Sequence, residues 1–184
     1  MASGFAKVTG KRLNVYAQEK LWSKIGTESD ASFYESKKQP DICAFACFNA
    51  TLRDYGRIGL VTLQGGVLGE HRVVSSAWVY DSTKPEAPYL KPKRGGPEGG
   101  YGYAYQWWVP PGDDDVFMAL GIDGQCIYVN PARHVVIVQT SAWPEPVSPL
   151  LEGGCVRQDC ERNRAVGSKH HESALLNGVD SERQ

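Results

Sequence analysis

An excess of charge of either sign is missing from this chain. Its 184 residues carry 20 Lys and Arg against 21 Asp and Glu, a net charge of −1. A protein that works by neutralising phosphate backbones or anionic lipid needs a basic surplus, so neither nucleic acid nor membrane is an expected partner. Long apolar runs are missing as well. None approaches the ~18 residues of a spanning helix, and the opening MASGFAKVTGKRLN has no apolar stretch of the secretory type. The expectation is a soluble, cytoplasmic protein. The five cysteines, at 43, 47, 126, 155 and 160, are odd in number and match no zinc or dithiol spacing. They read as small buried thiols and a few exposed ones, and nothing in them requires an oxidising compartment. The phosphate-binding loop is absent, because GGPEGGYGY lacks the following Lys-Ser/Thr. So is the Gly-x-Ser-x-Gly elbow. Neither His71 nor His134 stands at a recognisable spacing from a serine or cysteine, and the pair His170–His171 reads as solvated. No cofactor and no metal is expected.

What is present is a globular composition, with 41% hydrophobic and 10% aromatic residues. That is too apolar for a wholly disordered chain and long enough for one core. KRLNVYAQEKLWSKI, 11–25, places Leu13, Tyr16, Ala17, Leu21 and Ile25 at helical spacing, with Thr9 or Gly10 to cap it and Gly26 to stop it. ESDASFYESKKQPD is expected to form a loop or irregular hairpin, and CAFACF a buried segment. In NATLRDYGRIGLVTLQGG, 49–66, Thr51 and Asp54 resemble a capping box with Asp for Glu. Leu52, Tyr55, Ile58, Leu60 and Leu63 make an apolar face, and Gly65-Gly66 ends the helix. Gly56 and Gly59 suggest close approach of another backbone. A short helix follows from Ser75 or Ser76, and 83–100 reads as a surface loop with solvated Lys91, Lys93 and Arg94. From 101 to 140 the aromatics of YGYAYQWWV alternate, turns fall at PPGDDD and Pro131-Ala132-Arg133, and Val135–Val138 is continuously apolar. The expectation is an antiparallel meander of three strands, the last covered on both faces. Asp113, Asp114 and Asp115 read as a solvated turn. From 152 the pattern is lost, and 152–184 is expected to be a polar, disordered tail.

Four segments in this order, NATLRDYGRIGLVTLQGG, VVSSAWV, YGYAYQWWV and ALGIDGQCIYVNPARHVVIVQTS, resemble the C-terminal portion of the β-lactamase-related serine hydrolases. The family includes class C β-lactamases, penicillin-binding-protein-like esterases and 6-aminohexanoate-dimer hydrolases. The last of these carries the Gly-x-x-Gly-Gln seen at 121–125. VTGKRLNVYAQEKLWSKIG, 8–26, resembles the helix before the family's variable loop. The resemblance implies an α+β fold, an antiparallel β-sheet flanked by helices, here an incomplete serine β-lactamase-like (transpeptidase-like) domain over 1–151.

The family's chemistry uses a Ser-x-x-Lys nucleophile and base, a Tyr-x-Asn proton-transfer group and a third segment that helps form the oxyanion hole. No serine here has lysine three residues on. Tyr128-Val129-Asn130 spells the second motif but falls after the third, so it is read as coincidence. Only the third segment, Gly121-Ile122-Asp123-Gly124-Gln125, is present. The resemblance makes the Ile122 amide the second oxyanion donor, with Gly121 and Gly124 admitting close backbone approach to a ligand and Gln125 beside them. Trp107 and Trp108 are adjacent, so a strand sends them to opposite faces. Trp108 is the candidate for the cleft, with a core place for both tryptophans as the alternative, and Asn49 lies near the site by resemblance or is only a capping partner. The expected function is that of a serine hydrolase fragment for small-molecule amides or esters, inactive until completed by its N-terminal half. The alternative is a non-catalytic ligand-binding module using the aromatic strand 101–108.

Overall fold

The computed structural model describes residues 2–34, 47–93, 100–112 and 115–143. The expected tail, Cys43, Cys155, Cys160 and the histidine pair lie outside the described residues. Two helices open the chain, α1 (Ala2–Thr9) and α2 (Leu13–Lys20). The first was not legible in the sequence. The second is shorter than the apolar spacing predicts, because Leu21 leaves helical geometry (φ −122°, ψ −66°) and the chain continues as a 3-10 turn, Trp22–Lys24. Neither Thr9 nor Gly10 caps α2. Its N-cap is Arg12, without a side-chain bond, while the Thr9 hydroxyl donates back to the Phe5 carbonyl at 2.9 Å. Strands β1 (Ser32–Phe33) and β2 (Phe48–Asn49) pair antiparallel, and the rest of the expected loop or hairpin and most of CAFACF, 35–46, lie outside the described residues.

Helix α3 (Leu52–Leu63) starts where Thr51 accepts from the Asp54 N–H at 3.2 Å. It ends as Gly66 N–H donates to Val61 and Gly65 N–H to Thr62, the paired bonds of a Schellman stop. Asp54 departs from an ordinary capping box. Its carboxylate is fully buried and accepts from the Glu28 N–H (2.9 Å), the Thr51 hydroxyl (2.8 Å) and the Arg57 guanidinium (3.1 Å). It thus ties loop 27–31 to the start of α3. Burial pushes this carboxyl up, but the hydrogen bonds of Glu28 and Thr51, the Arg57 charge and the Ser29 N–H together hold it below the ordinary 3.8. A depressed folded pKa contributes stability that is complete above the unfolded value and lost as pH falls through the folded one. The melting temperature should therefore drop as pH falls below about 5, and Asp54→Asn should flatten that acid limb. Thermal melts of both proteins across the range check it, and equal acid limbs would show that Asp54 carries no linkage.

After a short hairpin, β3 (Val67–Leu68) with β4 (His71–Arg72), helix α4 (Ser76–Thr83) begins where Ser75 accepts from the Trp78 N–H. The main sheet follows as a five-stranded antiparallel meander in chain order: β5 (Gly102–Ala104), β6 (Trp107–Val109), β7 (Phe117–Leu120), β8 (Cys126–Asn130) and β9 (Val135–Gln139). The expected three strands are five. YGYAYQWWV is not one strand but a hairpin turning at Tyr105-Gln106, both at positive φ (44° and 76°), the signature of a two-residue type I′ turn. The alternating aromatics run straight across that turn, and no Asn-Gly or Asp-Gly marks it.

Helix α3 lies on one face of this sheet. Leu52, Tyr55, Leu60 and Leu63 pack on Phe117, Val129, Val136 and Val138. An added Cβ at Gly59 would stand 2.5 Å from Val136 Cγ1 and 3.1 Å from Ile127 Cγ2. The small residue thus admits strand side chains, where the sequence suggested another backbone. The opposite face carries Val116, Met118 and Cys126 with half-buried Tyr101, Leu120, Tyr128 and Ile137. Along β9 only Val136 and Val138 are buried, so this strand is fully covered on one face and half-covered on the other. A third cluster joins Trp22, Ile25 and Val61. Among the described residues no helix is long and apolar enough to cross a membrane.

Candidate active site

The segment 121–125 leaves the sheet between β7 and β8. Gly121 is extended (φ −118°, ψ 170°), and a 3-10 turn runs from Ile122 to Gly124 with Asp123 in the left-handed region (φ 58°, ψ 23°). The bend is closed by the Gly121 N–H on the Gln125 carbonyl (2.9 Å) and a long bond from the Gln125 N–H to the Ile122 carbonyl (3.4 Å). Ile122 is 66% exposed despite its apolar side chain. It occupies the first position of the turn, where a helical amide has no acceptor within the helix.

A second layer fastens this turn from behind. The Asp123 carbonyl accepts from the Ser141 hydroxyl (2.8 Å) and the Trp143 N–H (3.2 Å), and the Gly124 carbonyl from the Gln139 side-chain amide (3.0 Å). The Gln125 amide donates to the Ser141 carbonyl. At Gly124 (φ +83°) a Cβ would stand 2.3 Å from Ser141 Oγ and 2.4 Å from Trp143 Cε2, and at Gly121 it would stand 3.0 Å from the Gln125 side chain. The space opened by Gly124 is therefore taken by the chain's own Ser141 and Trp143. Gln139, Ser141 and Trp143 were not legible as site residues. Their partners are backbone carbonyls well over ten residues away in the chain, 15 for Gln139 and 18 for Ser141, which no side-chain pattern announces.

The structure thus brings Gly121, Ile122, Gly124 and Gln125 together in one clamped turn. Asn49 lies on β2 opposite Ser32, with its side chain donating to the Cys47 carbonyl at 3.4 Å. It is not the cap of α3, which is Thr51. Trp107 and Trp108 do take opposite faces. Trp107 packs edge-to-face on Phe117 below α3, and Trp108 on Tyr103 and Tyr101. Trp108 is in register with Met118, two residues before the end of β7. Among the described residues no hydrogen bond or ring contact joins Asn49 or Trp108 to the turn.

Tyr128 and Asn130 hold the other end of β8. The Asn130 amide donates to the Tyr128 hydroxyl, and its carbonyl accepts from the Arg133 N–H at 3.0 Å. Asn130 caps the turn Pro131–Arg133, a structural task at the end of β8 remote from Gly121. A cavity of about 460 Å³ opens beside Gln18, Leu21, Trp22, Phe33, Phe48 and Ile58, and it shares no residue with the turn. Among the described residues no three His, Cys, Asp or Glu gather as metal ligands.

No family model matches the chain. It is 32% identical over 148 residues, 76% of its own length, to the 6-aminohexanoate-dimer hydrolase of Paenarthrobacter ureafaciens. A solved structure described as a putative 6-aminohexanoate-dimer hydrolase from Bacillus anthracis superposes with a TM-score of 0.73 at 29% identity over 89% of this chain. The chain spans only 36% of the first relative and 40% of the second, a partial coverage that fits the C-terminal portion. With its antiparallel sheet, its helix α3 and its four ordered segments, the chain belongs to the β-lactamase-related serine hydrolase family.

Proposed function

We propose that this chain is the oxyanion-forming portion of a serine hydrolase that cleaves small amides or esters through an acyl-serine. The exposed, clamped turn at Ile122 carries this reading. Acyl transfer needs two backbone N–H donors aimed at the oxygen that becomes negative, held so that nothing must reorganise when charge develops. A turn whose first amide has no acceptor within the helix, and whose neighbouring carbonyls are already engaged, supplies one of them. The other donor, the nucleophilic serine and its lysine come from the portion of the relatives that this chain does not span. The relative from Paenarthrobacter ureafaciens is named for a dimer of 6-aminohexanoate, an amino acid whose dimer is joined by an amide. A small amide or ester is accordingly the substrate class favoured here.

The purified chain should not turn over nitrocefin, p-nitrophenyl butyrate or a linear amide. Covalent linkage to an upstream polypeptide bearing Ser-x-x-Lys and Tyr-x-Asn should bring activity and a single serine labelled by a fluorophosphonate. Turnover by the isolated chain with labelling of one of its own serines would overturn the reading.

A further inference from the structure

We propose that Gln139, Ser141 and Trp143 are positioning residues that aim the Ile122 N–H, a role that rests on the oxyanion reading of the turn. The three stand at alternate positions from the last paired residue of β9 onward, so an extended chain presents them on one side. Between them they deliver three donors to two consecutive carbonyls, Asp123 and Gly124. Those carbonyls belong to Asp123 and Gly124, both at positive φ (58° and 83°), a conformation free to glycine but costly to Asp123 unless its surroundings hold it.

The consequence for Ile122 is geometric. Its N–H lies in the peptide unit between Gly121 and Ile122. The unit before it is anchored by the Gly121 N–H on Gln125, and the unit after it by the Ile122 carbonyl on the Gln125 N–H. That second anchor is long at 3.4 Å, too weak to fix the turn alone. Ser141 and Trp143 secure the next carbonyl along, and the Trp143 ring lies where any side chain at 124 would go. Gln139 is itself fixed, because it pairs with Cys126 in the sheet. The direction of the amide is in this way referred to the rigid β8–β9 ladder, the condition under which a donor is preorganised.

The test has two arms. In the full chain, labelled with nitrogen-15, Ser141→Ala should raise amide exchange at Gly121, Gln125 and Trp143, whose N–H groups are bonded within or onto the turn, roughly fivefold or more, as the loss of one hydrogen bond does. Exchange at Val129 should stay unchanged, and Ser141→Thr, which keeps the hydroxyl, should stay close to the wild type. In the enzyme completed by an upstream Ser-x-x-Lys portion, Ser141→Ala should lower kcat on the order of tenfold to a hundredfold, the scale of a misplaced group, with KM nearly unchanged. Gln139→Leu should act in the same direction. Unchanged exchange in Ser141→Ala overturns the proposal. So does a loosened turn with an unchanged kcat, or a loss that appears wholly in KM. A completed wild-type enzyme without turnover would instead remove the oxyanion reading and the aiming role with it, while exchange still reports whether the clamp holds the turn.

Discussion

Ile122→Pro in the completed enzyme is expected to lower kcat by about 10²–10³, roughly 3–4 kcal/mol of transition-state stabilisation. The substitution removes one N–H and almost nothing else. Ile122 holds helical geometry at the first position of a 3-10 turn, the place where proline is best tolerated. Gly121 before it is already extended, as the residue preceding a proline must be. The exposed side chain leaves no cavity when it is replaced. The turn thus makes the variant a clean deletion of the donor. Ile122→Val should be close to neutral. Circular dichroism and the melting temperature establish that the variant is folded, and steady-state kinetics then read the loss. Full activity in a folded Ile122→Pro enzyme would limit the family likeness to the scaffold.

Asp54→Ala is expected to cost about 3 kcal/mol of stability, within the range for removing one member of a buried charged network. Alanine at 54 leaves the Glu28 N–H without its acceptor and the Thr51 hydroxyl without its carboxylate. It also takes from Arg57 one of its two acidic partners, the other being Glu28 at 2.7 Å. Because Arg57 is part-exposed, water recovers some of its loss, which keeps the figure moderate. For a chain of this length the shift is about 6–12 °C in melting temperature. Asp54→Asn, which preserves the shape and can still accept from Glu28, should cost less. Chemical denaturation of the three proteins at neutral pH checks the order. An Asp54→Ala midpoint equal to wild type would mean that loop 27–31 does not depend on this carboxylate.

Helix α3 and the strands β8 and β9 were legible because their signals are local. The apolar positions of 52–63 recur at helical spacing, Thr51 and Asp54 mark the start, Gly65-Gly66 marks the end, and each determines a boundary without help from the rest of the chain. The adjacent tryptophans divided between two faces because a strand alternates its side chains. The family could be read because four short segments kept their order. What the sequence did not show depends on residues distant in the chain. The break of the first long helix at Leu21 goes with Trp22 and Ile25 turning into the cluster shared with Val61. The hairpin at Tyr105-Gln106 replaces a straight strand because β6 must lie between β5 and β7, and two left-handed residues follow from that pairing although their types do not ask for them. Asp54 became a buried tie to Glu28, 26 residues away, although its spacing announced only a cap. The site divides in the same way. Gly121-Ile122-Asp123-Gly124-Gln125 could be recognised as a segment, but the donors from Gln139, Ser141 and Trp143 that hold its carbonyls exist only once β8 and β9 have paired. A hydrogen bond to a backbone carbonyl places no demand on the residue that owns it, and so leaves no mark in the sequence until the chain has folded.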